Sequence, residues 1–182
     1  MIEFNVPSQD EVSSNNAEIF AKLNANLGFV PNLYASMAYS DTALANYLQF
    51  QGAKSSFTNK EKEVINLVVS EFNNCKYCKA AHTALGKMNG FSEAQILDIR
   101  AGHITWDAKL AALANLTLAI LSSKGSRVQS ELQKFIDLGY TKGSLVDLNL
   151  AIADKMVMNY LHNTIQIPVD FPMAEELDEV LS

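Results

Sequence analysis

Thr58-Asn-Lys-Glu-Lys-Glu-Val-Ile-Asn-Leu-Val-Val-Ser-Glu-Phe72 is the stretch whose reading decides the fold. Thr58 with Glu61 three residues on forms a capping box, which satisfies the free amides at a helix start. After residue 63 the segment is apolar around most of a helical circumference, so a central helix is predicted over 59–72. Working outward, Ser92-Glu-Ala-Gln95 is a second capping box and starts a helix over 92–101. Apolar residues recur at helical spacing elsewhere, as in Ile19, Phe20, Leu23 and Leu27, or Leu132, Phe135, Ile136 and Leu138, while period-two alternation is scarce. Further helices are expected over 13–27, 31–39, 41–55, 75–88, 107–123, 128–138 and 141–165. The chain reads as all-α, a bundle of eight or nine helices.

The joints between helices support this. Gly90-Phe91-Ser92 followed by Ile96, and Gly139-Tyr140-Thr141 followed by Leu145, use the same device. Glycine suits the C′ position, Ser or Thr caps the next helix, and the aromatic staples onto the aliphatic four residues into it. Ser122-Ser-Lys-Gly-Ser126 is the most linker-like stretch but is too short to separate two domains. A single domain is therefore expected over 1–182, with a motif core at about 58–123. The tail at about 168–182, with two prolines and several acidic residues, is expected on the surface or on a partner subunit.

The 182 residues are 48% hydrophobic and 19% charged, enough apolar material for one buried core. Fourteen basic against 20 acidic residues give a net charge of −6, which disfavours nucleic acid or anionic lipid as a partner. Met1-Ile-Glu-Phe-Asn-Val-Pro7 lacks the basic start and apolar run of a signal peptide. No segment reaches the roughly 18 apolar residues needed to span a membrane, and a cytoplasmic location is expected. In that reducing compartment a lone Cys-x-x-Cys is catalytic or metal-binding rather than a staple.

The only two cysteines fall in Cys75-Lys-Tyr-Cys78-Lys-Ala-Ala-His82. If a helix starts around Asn73 or Asn74, spacings of three, four and seven put Cys75, Cys78 and His82 on one face. The imidazole can then accept the Cys78 proton directly or through one water. A free helix N-terminus, by contrast, favours thiolate at Cys75. Helical neighbours have Cβ atoms about 5 to 6 Å apart, whereas a disulfide wants roughly 3.5 to 4.5 Å, so the first turn must tighten or unwind on oxidation. Such a strained pair is readily reduced. Glu63, at the polar end of the preceding apolar run, is a candidate base if burial raises its pKa from about 4.3. It is equally readable as a first-turn acid that suits the helix dipole. The remaining charges of Lys60-Glu-Lys-Glu63 read as a solvated first turn.

Glu63, Cys75-x-x-Cys78 and His82, at these spacings, resemble the signature of the alkyl hydroperoxidase D (AhpD) and carboxymuconolactone decarboxylase family. Gly28-Phe-Val-Pro-Asn-Leu33, Leu67-Val-Val-Ser-Glu71, Ala80-Ala-His-Thr-Ala84, Gly90-Phe-Ser92, Asn159-Tyr160 and Phe171-Pro172 extend the resemblance to its peroxidase-related branch over most of the chain. The resemblance implies an all-helical homo-oligomer, trimer or hexamer, that reduces a small-molecule hydroperoxide. It also implies that Cys78 is the peroxidatic thiol, Cys75 the resolving thiol, and Glu63 with His82 the proton relay. No cofactor is implied, since electrons arrive from a dithiol donor. Some members carry histidine just before the second cysteine, where this chain has Tyr77, a residue that could line the substrate entrance or cover the pair.

Two rivals share the cysteines. Zinc could take Cys75, Cys78 and His82, with His103 or His162 as a fourth ligand, although isolated histidines are unlike the paired ligands of structural zinc sites. A thiol-disulfide exchange module acting on proteins would use the dithiol but not Glu63. His103 otherwise reads as a helix cap, and His162, Trp106, Met156 and Met158 as packing.

Overall fold

A computed structural model describes residues 3–177. After a 3-10 turn at Gln9–Glu11 come nine helices among the described residues and no strand: α1 (Ser14–Leu27), α2 (Asn32–Met37), α3 (Ala43–Gln51), α4 (Asn59–Phe72), α5 (Lys76–Met88), α6 (Glu93–Ala101), α7 (Ala108–Ser123), α8 (Gln129–Asp137) and α9 (Lys142–Ile165). The all-helical expectation holds. Helix α3 starts two residues later than expected and ends four residues earlier, where Gly52, whose N–H bonds to the Leu48 carbonyl, closes it. None of the helices is long and apolar enough to cross a membrane.

Helix α4 is central and packs against α5, α6, α7 and α9. Its Val64, Ile65, Leu67, Val68 and Val69 are all buried, each stabilising the fold by about 1.5–3 kcal/mol relative to exposure. They belong to a cluster that continues through Leu113 and Leu116 of α7, Phe135 of α8 and Leu148 of α9. A second cluster gathers Phe20, Leu33, Leu44 and Tyr47 from α1–α3 around Tyr77 and the two cysteines. The cysteine pair thus lies where the N-terminal helices meet the central layer.

The two repeated joints form as expected. Gly90 and Gly139 have φ of 88° and 93°, a region glycine enters without steric cost. Phe91 and Tyr140 then donate their N–H groups to the carbonyls of Gly86 and Phe135, while Ser92 and Thr141 cap α6 and α9. Glu61 corrects the solvated-turn reading. It is buried, accepting from the Thr58 N–H and hydroxyl and from the Tyr140 hydroxyl at 2.9 Å, with Lys109 at 3.4 Å. The start of the tail lies on the surface, with Pro168, Pro172 and Met173 exposed, and it is anchored there. Ile167 is buried, Asp170 accepts the Asn32 N–H at 2.8 Å, and Phe171 packs on Tyr77 and Phe29. Residues 178–182 of the expected tail lie outside the described residues.

Candidate active site

The turn between α4 and α5 places the cysteines. Asn74 takes φ 48°, a left-handed conformation that asparagine tolerates, and the Cys75 N–H bonds back to the Ser70 carbonyl at 3.0 Å. The chain reverses there, and α5 starts at Lys76 with Cys75 as its N-cap. This corrects the placement of Cys75 within the first helical turn. The backbone of Cys75 is extended (φ −86°, ψ 101°), and its Sγ accepts the Cys78 N–H at 3.3 Å. A capping side chain folds over the first turn by construction, so one sulfur is already turned toward the other. The unwinding expected for two helical cysteines is not required.

Both sulfurs are buried and free in the reduced state. The Cys75 S–H donates to the Cys78 sulfur, which holds Cys78 below the ordinary thiol range against the opposing effect of burial; Lys155 and an Asn159 N–H add to the lowering. The same hydrogen bond, with burial, pushes Cys75 up. The electrostatics therefore favour thiolate at Cys78, contrary to the simple dipole argument.

His82 lies one turn beyond Cys78, its Nδ1 2.8 Å from Glu63 Oε2, with each side chain 9% exposed. Asn66 donates to the other Glu63 oxygen at 3.3 Å. Burial lowers the His82 pKa and Lys155 lowers it further, outweighing the attraction of Glu63. A neutral imidazole results, with Nδ1–H given to Glu63 and Nε2 left as acceptor. For Glu63, burial pushes up, but His82, Lys155 and Asn66 together hold it below its usual range. This corrects the expectation of a raised carboxyl: Glu63 stays ionised and orients the imidazole, and His82 is the group suited to proton exchange. Its placement also goes beyond the helix-dipole reading.

Glu63, Cys78 and His82 line a cavity of about 590 Å³, whose walls are largely apolar side chains such as Leu33, Leu85, Met158 and Phe171. Tyr77 both lines this cavity and is 3% exposed, wedged between Phe171 and His162, and its hydroxyl accepts the Leu33 N–H at 3.3 Å. Tyr34 donates to Gln51 at 2.6 Å and Gln51 to Tyr47 at 2.8 Å, a polar ladder reaching Asp154. Burial pushes the Tyr34 phenol up to about 12 and raises Tyr47 as well, so both phenols are neutral.

Sequence reasoning missed Lys155 and Asp154, which line the same cavity. The signal was available: Leu148, Ile152, Lys155, Asn159 and His162 recur every three or four residues and are all buried. A lysine on that stripe faces inward.

Neither histidine proposed to complete a zinc site does so. His103 is exposed, its N–H closing α6 on the Asp98 carbonyl, and His162 Nε2 lies 3.1 Å from the Ile167 carbonyl. Among the described residues no group of three or more His, Cys, Asp or Glu side chains is placed to hold a metal ion.

Residues 40–120 match the model of the carboxymuconolactone decarboxylase family. No curated protein matches the sequence. Among solved structures, the fold is similar to an alkylhydroperoxidase AhpD core, a peroxidase-related protein from Ralstonia eutropha JMP134, with TM-score 0.83 and 17% identity over 92% of each chain. A peroxidase-related protein from Silicibacter sp. TM1040 follows, with TM-score 0.79 and 16% identity, covering 93% of this chain and 90% of that one. The debrominase Bmp8, in complex with 2,3,4-tribromopyrrole, is similar with TM-score 0.75 and 14% identity over 93% of each chain. The chain thus has the all-helical fold of these AhpD-like structures, and its residues 40–120 match the carboxymuconolactone decarboxylase family model.

Proposed function

We propose that the protein is a dithiol peroxidase that reduces organic hydroperoxides. The observation that carries this reading is the pairing of Cys75, whose Sγ caps α5 by accepting the Cys78 N–H, with Cys78 as the lower-pKa sulfur, one turn from an imidazole locked by a carboxylate. Cys78 thiolate attacks the terminal peroxide oxygen. The O–O bond breaks, Cys78 becomes a sulfenic acid, and the alcohol leaves after taking a proton through His82. The Cys75 thiol displaces water from the sulfenic acid to form the Cys75–Cys78 disulfide. An external dithiol donor returns the two electrons and two protons. The burial of both sulfurs counts against exchange with a folded protein disulfide.

The test is reaction of the reduced protein with cumene hydroperoxide, followed by thiol counting and intact mass, for wild type, Cys75→Ser and Cys78→Ser. Wild type should lose two thiols, and a trappable sulfenic acid should form in Cys75→Ser and not in Cys78→Ser. A wild type that stays reduced overturns the reading. The breadth of the cavity favours a second reading, since 590 Å³ far exceeds what a small peroxide needs. It is reductive dehalogenation of a halogenated aromatic, the same dithiol supplying two electrons. Release of bromide from a bromopyrrole, without consumption of peroxide, would select it.

A further inference from the structure

Among the described residues the buried charges are paired, with one exception. Arg100 bonds Glu71 at 2.7 Å, Lys79 bonds Glu176 at 2.9 Å, Glu61 lies 3.4 Å from Lys109, and Glu63 lies 2.8 Å from His82. Lys155 is 4% exposed, yet among the described residues it has neither a carboxylate in salt-bridge range nor a hydrogen-bond acceptor. An ammonium on a largely buried side chain with no ion-pair partner is costly, and a nearby anion offsets that cost. The side chain lines the cavity together with Cys78, Glu63 and His82. Two other lysines, Lys54 and Lys62, also line it but are exposed and half-exposed respectively.

We propose that Lys155 is the countercharge of the site: it holds the Cys78 sulfur as thiolate and receives the charge that moves to the departing oxygen when the peroxide bond breaks. The second half rests on the peroxidase reading; the first does not. In the displacement, Cys78–S⁻ and ROOH become Cys78–SOH and RO⁻, so one negative charge travels from sulfur to oxygen. An ammonium facing the same cavity as the sulfur stabilises the charge along the path without reorganisation. The alkoxide takes its proton through His82. The other titratable groups around Cys78 are Cys75, Tyr77 and His82 at or on α5, Glu63 on α4, Tyr34 on α2, Tyr47 on α3 and Asp154 on α9. Burial pushes the phenols and Cys75 up and the His82 imidazole down, so none of these is a cation, and Lys155 is the buried cation that lines the cavity.

The test uses Cys75→Ser protein, in which Cys78 is the sole thiol, and follows its alkylation by iodoacetamide against pH with and without Lys155→Met, Lys155→Gln and Lys155→Arg. The neutral variants should move the alkylation midpoint upward by about one unit or more, and so slow alkylation near pH 7 about tenfold. Lys155→Arg should restore most of both. A midpoint unmoved in either neutral variant overturns the proposal. If both neutral variants fail to fold, the arginine variant decides: a folded protein with a low midpoint supports the charge requirement, and a second failure assigns Lys155 to packing and overturns it. Alkylation needs no peroxide, so failure of the peroxidase reading alone would leave this midpoint shift in place.

Discussion

Glu63→Gln separates positioning from proton transfer at this site. The carboxylate accepts two donors, His82 Nδ1–H at 2.8 Å and Asn66 Nδ2 at 3.3 Å. Glutamine is nearly isosteric but has one acceptor oxygen for both. If that oxygen stays with His82, the imidazole keeps its tautomer and loses only the charge assistance. Hydrogen bonds to charged groups contribute about 1.5–3 kcal/mol and neutral ones about 1, so the loss is about 1 kcal/mol or somewhat more, roughly five- to tenfold in rate. If Asn66 takes the oxygen, the amide NH₂ faces His82, the proton moves to Nε2, and the lone pair that serves Cys78 is gone. General acid-base catalysis is worth about 10²- to 10⁴-fold, and the mixture of the two arrangements places the expected slowing at about 10- to 100-fold.

The assay is single-turnover oxidation of reduced protein by cumene hydroperoxide at pH 7, beside reaction with a small aromatic disulfide. The disulfide reaction needs a thiolate but no proton for a departing alkoxide, and it should change little. Adding Asn66→Ala to Glu63→Gln frees the glutamine oxygen for His82 and should recover several-fold of the lost peroxide rate. Equal slowing of both reactions, or no recovery in the double variant, would refute the tautomer argument.

Two further outcomes follow from the same geometry. Because Cys75 caps α5 through its sulfur, Cys75→Ser should keep the cap and Cys75→Ala lose it, leaving the alanine variant about 0.5–1 kcal/mol less stable by urea melts while both lose disulfide formation; equal stabilities would remove the cap. His82 and Glu63 both have folded pKa values below their ordinary 6.5 and 4.5, so the unfolded chain binds more protons and stability is full above about pH 6.5. It should fall as pH drops through 6.5, by at most about 1.4 kcal/mol per pH unit for each histidine of this kind, and again below 4.5. His162, also held low by burial, shares the first window, so His82→Gln should flatten that slope only in part. An unchanged slope would show that His82 is not buried neutral.

What the sequence made legible is what local chemistry specifies. Capping boxes at Thr58 and Ser92, glycines at 90 and 139, and the all-round apolar run after Glu63 each act within a few residues, and each formed as read. The Glu63–His82 contact was also legible, although its electrostatic sense was not. Burial of Glu63 suggested a raised pKa, yet three partners brought by α4, α5 and α9 reverse the sign. Glu61 was misread for a similar reason: its lid, Tyr140, arrives from 79 residues away.

The start of α5 decides which sulfur is favoured as thiolate. Reading Cys75 as the first helical residue gave it the dipole, and the dipole argued for thiolate at Cys75. With Cys75 as N-cap, its sulfur sits beside the Cys78 N–H, and its own proton is directed at the Cys78 sulfur. A donor cannot also be the stabilised anion, so the two roles separate by one helix boundary. Lys155 and Asn159, one turn apart on α9, then favour charge on the same sulfur that Cys75 serves. The difference in acidity between two identical side chains therefore traces to the left-handed turn at Asn74, which fixes where α5 begins.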